Sequence, residues 1–140
     1  MFAKRQRMIG PNASINFFLQ TYYKYAKSCS SLCLIGTFTF SYHNLPESIK
    51  KVAEQYIAEV YAWLEKNFQQ GRSTGEYHFA GSASAMAEIW ISVLPGALQA
   101  SRYLGQAFFY RTAKELKNSL LLRNGDLNHF YLKVQEQKQY

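Results

Sequence analysis

Apolar side chains recur at the helical period of about 3.6 residues in five stretches of this chain. Over residues 14–27, Ile15, Phe18, Leu19, Tyr22, Tyr23, Tyr25 and Ala26 share one side of a helical wheel. Asn16, Gln20, Lys24 and Lys27 share the other, and Phe17 alone breaks the pattern. Residues 46–69 carry the clearest stripe: Ile49, Val52, Ala53, Tyr56, Ile57, Val60, Trp63, Leu64 and Phe68 oppose Lys51, Glu54, Gln55, Glu59, Glu65 and Lys66. Pro46 suits a first helical turn, and Glu47 complements the positive end of the helix dipole. Gly71 and Gly75 predict that this helix ends in the loop GRSTGE.

Residues 82–104 have only a narrow polar strip, formed by Ser84, Glu88, Ser92, Gln99 and Arg102. A helix this apolar is buried on two sides, and in a chain of 140 residues the second side implies another subunit. Ala85, Gly96 and Ala100 fall close together on its wheel and would admit a second helix backbone. Pro95 removes the hydrogen bond to the Ile91 carbonyl and predicts a kink. Residues 106–122 place Phe109, Ala113, Leu116 and Leu120 on one face. Asn124-Gly125-Asp126 stops and restarts the chain ahead of a weaker tail helix within 124–140. Residues 37–42 alternate like a strand, but no second strand is available to pair with them, so they read as a short helix or an irregular segment.

The expectation is a single all-α domain over residues 1–140, an antiparallel helical bundle of about five to six helices. Hydrophobic residues at 48% and charged residues at 18% fit a folded chain and exclude a disordered one. No apolar run is long enough for a transmembrane helix. The net charge of +7 is concentrated at the front: five of the 16 basic residues and none of the nine acids precede Glu47. The basic segment 1–11 suits a nucleic-acid partner, an anionic membrane, a transit peptide or a simply solvated helix. A secretory signal does not fit, because Asn16, Gln20, Thr21 and Lys24 interrupt the stretch from Ile15.

Recognisable catalytic chemistry is lacking. GRSTG has neither the Lys nor the preceding strand of a phosphate loop. His43, His78 and His129 have no second ligand at helical spacing, and Cys29 with Cys33 lack the His or third Cys of a zinc site. No Ser or Cys sits in a nucleophile elbow. The reading is therefore of a non-enzyme with no cofactor and no metal. Aromatic residues at 16% exceed what a small core needs and suit an apolar pocket. The expected lining is Phe18, Tyr22, Phe38, Tyr56, Trp63, Met86 and Trp90, with a small hydrophobic or aromatic effector as occupant.

Cys33-Leu34-Ile35-Gly36, the turn Gly71 to Glu76, and Gly96-Ala97-Leu98 followed by Arg102 occur in an order, within residues 29–122, that resembles the C-terminal regulatory domain of TetR-family transcriptional regulators. Residues 1–28 show no match to the helix-turn-helix head of that family. The resemblance implies a cytoplasmic, ligand-sensing domain that reaches DNA only through a head absent from this chain. It also implies a homodimer through a four-helix interface, for which Ala85, Gly96, Ala100, Phe109, Ala113, Leu116 and Leu120 are the candidate contacts. The alternative is a helical interaction or adaptor module using the basic N-terminus.

Overall fold

The computed structural model describes residues 2–28, 36–37 and 41–121, the side chains of 2–9 excepted. Among the described residues there is no strand. The elements are α1 (Phe2–Lys27), α2 (Glu47–Ser73), α3 (Ala83–Leu104) and α4 (Gln106–Asn118), with 3-10 turns at Tyr42–Asn44 and Ser119–Leu121. In the strand-like stretch, Thr37 and Ser41 are helical and Tyr42 opens the first 3-10 turn. Phe38, both cysteines, His129 and the expected tail helix lie outside the described residues.

Local chemistry sets the helix ends. Gly10 adopts φ 70°, ψ 168°, which breaks α1 into two pieces and lets Pro11 open the second. Ahead of the break, residues 2–9 form a helical piece that periodicity alone did not indicate. The Asn12 N–H donates to the Glu76 carboxylate at 3.1 Å, so a side chain 64 residues away satisfies one of the free donors of that first turn. Ser82 caps α3 by accepting from the Ala85 N–H at 3.0 Å. Gly105, at φ 85°, separates α3 from α4 while its N–H donates to the Ser101 carbonyl at 2.8 Å.

One expected boundary needs correction. Gly71 does not end α2: the helix runs on to Ser73, and Gly71 lies buried within it. A Cβ at Gly71 would lie 2.0 Å from the Tyr77 ring, so this glycine serves close packing, and Gly75, at φ 78°, supplies the turn. Helix α3, for its part, is unbroken across Pro95. One hydrogen bond to Ile91 is lost there, and the buried neighbours Leu94, Ala97 and Leu98 hold the helix on either side of the gap.

The chain alternates in direction between two ends. Phe18 packs on Trp63 with ring centroids 5.5 Å apart, while Asn67 donates to the Pro11 carbonyl at 3.2 Å, so α1 and α2 run oppositely. Tyr22 stacks on Phe109 at 6.3 Å and Gln106 reaches the Lys27 carbonyl, so α1 and α4 also run oppositely. Helices α1 and α3 each pack on the other three. The apolar faces meet in one core that includes Ile15, Leu19, Leu64, Phe68, Trp90, Leu94, Phe109 and Leu120. Ile49 and Val52 belong to the sequence stripe of α2 but are 41% and 62% exposed, because the first turns of the helix project past that core.

Candidate functional site

Five of the seven expected pocket residues come together. Phe18, Tyr22, Trp63, Met86 and Trp90 are all buried in the single core, and Tyr56 packs against its edge. Phe18 meets Tyr22 edge-on at 5.4 Å, and Trp90 meets Phe68 at 5.4 Å. Phe38, the seventh, lies outside the described residues. Trp90 is fully buried, and its indole N–H has no hydrogen-bond acceptor among the described residues. A polar group held this way is costly unless something later meets it.

Two cavities lined by described residues lie away from those aromatics, one at each end of the molecule. The first, of about 230 Å³, sits between Asn12, Glu76, Tyr77, Lys117, Leu120 and Leu121. Burial, and then the Glu76 carboxylate, push the Tyr77 phenol well above its usual range, and its hydroxyl has no partner among the described residues. The second, of about 380 Å³, opens between Tyr25, Ala26 and Ser28 after and along α1, Leu98, Ser101 and Arg102 on α3, and Gly105 with Gln106. Periodicity did not select these residues, because the cavity forms where two helices end and a third begins. The signal in the sequence was Gly105, a break with Arg102 one turn before it.

The expected dimer contacts divide in two. Ala85 and Gly96 face solvent on α3 and Ala100 is half-buried beside them; Gly96 has no heavy atom within 4 Å of where a Cβ would stand. Ile89 is 47% exposed on the same face. Phe109, Ala113, Leu116 and Leu120 point the other way, into the chain's own core, and offer no free row. The face of α4 that was expected to meet a second subunit instead meets α1 and α3.

Compared with family models, with curated proteins and with solved structures, the chain matches none. Among the described residues no helix is long and apolar enough to cross a membrane.

Proposed function

We propose that this chain is a ligand-sensing and self-associating helical domain of the kind that regulates TetR-type transcriptional repressors, with a small hydrophobic or aromatic effector. The observation that supports the reading best is the outward face of α3. There Ala85, Ile89, Gly96 and Ala100 present small and apolar surface to solvent on a helix whose opposite side is already fully used by the core. Small residues let two helix backbones approach closely, and a two-fold axis near Gly96 would set this face against its own copy. The aromatic core around Trp63 and Trp90 supplies the setting for an apolar effector, and the unsatisfied Trp90 N–H offers it a hydrogen bond. Ligand binding would act by favouring one of two packings of the pair.

Sedimentation velocity at micromolar concentration tests the self-association. The unaltered chain sediments as a dimer, and Gly96→Arg, placed in open space, gives monomers with the same helical content. A monomeric unaltered chain overturns the reading. The adaptor alternative rests on Lys4, Arg5 and Arg7, whose side chains are outside the described set, and no structural observation favours it.

A further inference from the structure

We propose that the cavity between the ends of α1 and α3 and the start of α4 binds a small carboxylic acid with an apolar body, Arg102 acting as its counter-charge. Tyr25, Ala26 and Leu98 form the apolar wall. Among the described residues Arg102, exposed at the rim, is the one charged side chain of the lining, and it makes no ion pair and no hydrogen bond. A guanidinium beside an apolar wall, with no acid among the described lining residues, is matched by a single carboxylate, which it can hold through two parallel N–H bonds. A phosphate dianion would call for more than one cation.

Among the neutral groups, the Ser101 hydroxyl gives its one proton to the Leu98 carbonyl at 2.7 Å, which leaves Gln106 as the side-chain donor for a carboxylate. One amide hydrogen of Gln106 ties the rim to the Lys27 carbonyl at 3.4 Å, leaving the second to offer an anion. The rim is braced by Gly105, whose conformation and N–H bond to Ser101 fix the corner between α3 and α4. At about 380 Å³ the space suits a small molecule, near the lower end of ligand pockets at roughly 300 Å³. The cavity at the other end makes the contrast: it contains both Glu76 and Lys117, whose opposite charges leave no net preference for an anion.

The site is distinct from the aromatic core invoked above and does not depend on self-association. The test is calorimetric titration of the full chain with indole-3-acetate, benzoate and octanoate, alongside indole-3-acetamide and inorganic phosphate. At least one acid should saturate a single site, the amide should bind about tenfold or more weakly than its acid, and phosphate should bind less well than either. Arg102→Gln should lower the acid's affinity to that of the amide without changing the melting temperature. Arg111→Gln, on α4 outside the lining, should change nothing. Backbone amide shifts on binding should centre on Tyr25, Ala26, Leu98 and Gln106. The proposal is overturned if no acid saturates, if acid and amide bind alike, if Arg102→Gln leaves affinity intact, if phosphate binds more tightly than the acids, or if the shifts centre on Phe18, Trp63 and Trp90. A monomeric chain that still binds the acid through Arg102 would defeat the dimer reading and leave this one standing.

Discussion

The two ends of the molecule are built from the same helices yet packed to different standards. At the end where α2 finishes, the loop 74–82 folds back over the core. Tyr77 lies on Gly71, Phe79 packs edge-on against Phe68 at 5.9 Å, and Arg72 stacks over Phe79 at 4.0 Å. The Arg72 guanidinium also donates to the carbonyls of Phe79 and Gly81, so the loop is held by ring contacts and hydrogen bonds together. At the other end Val52, Tyr103 and Leu104 are 62%, 92% and 61% exposed, and a cavity opens beside Arg102. The difference lies in what the described residues place over the core at each end. What closes an end is the loop that crosses it, and only one end has such a loop among the described residues.

That contrast can be tested by truncation. Trp90→Ala, at the closed end of the core, should cost about 3–5 kcal/mol in urea unfolding, because its cavity cannot collapse among Phe68, Leu64 and Leu94. Leu104→Ala, at the open end, should stay within about 0.5 kcal/mol. Equal losses at the two positions would remove the distinction.

A smaller effect is expected from adding rather than removing atoms. Gly71→Ala drives a methyl into the Tyr77 ring and should cost about 1–3 kcal/mol. Paired with Tyr77→Ala, its further cost should nearly vanish, since the clash has gone; strict additivity of the two changes would show that Gly71 matters for another reason.

The pH dependence sharpens the comparison at the same place. The folded state holds Tyr77 protonated to higher pH than the unfolded chain, where the phenol titrates near its ordinary value of 10.0. Below that value both states keep the proton and stability is unaffected. Above it the unfolded state alone ionises, so stability falls as pH rises. Tyr77→Phe should flatten much of that fall while leaving neutral-pH stability nearly unchanged, because the hydroxyl it deletes has no partner. Part of the fall should persist, since burial and neighbouring Tyr110 also raise Tyr23. The smallest expected change is at Glu76→Gln, which weakens the acceptor for the Asn12 N–H by about 0.3–1 kcal/mol, read as a shift in urea midpoint.

Periodicity made α2, α3 and α4 legible to within a few residues, because each buries one face and exposes another. It also grouped Phe18, Trp63 and Trp90, though as the lining of a pocket, and the structure packs all three in the core. It could not show that Ile49 and Val52 overhang, since a stripe records which side of a helix is apolar and not where the partner helix stops. In the sequence Gly71 reads as a terminator, because glycine ends helices and also permits close packing, and sequence does not say which. Phe109 and Leu116 had an apolar row with two possible partners, and packing on α1 and α3 within the chain took it. Periodicity places Arg102 only in the polar strip of its helix and says nothing of a cavity: its setting is made by Gly105 and by the end of α1, about 75 residues earlier in the chain.

The ties at the start of α1 carry a consequence for how the chain folds. Arg72 clasps the loop to its own helix across nine residues, so the unit of α2, loop and α3 closes a short circuit. Pro11 and Asn12, by contrast, are reached by Asn67 and Glu76 across 56 and 64 residues. Closing the longer loop costs more chain entropy before any contact repays it. Arg72→Ala should therefore slow refolding, while Glu76→Gln and Asn67→Ala should chiefly speed unfolding, as stopped-flow chevrons would show.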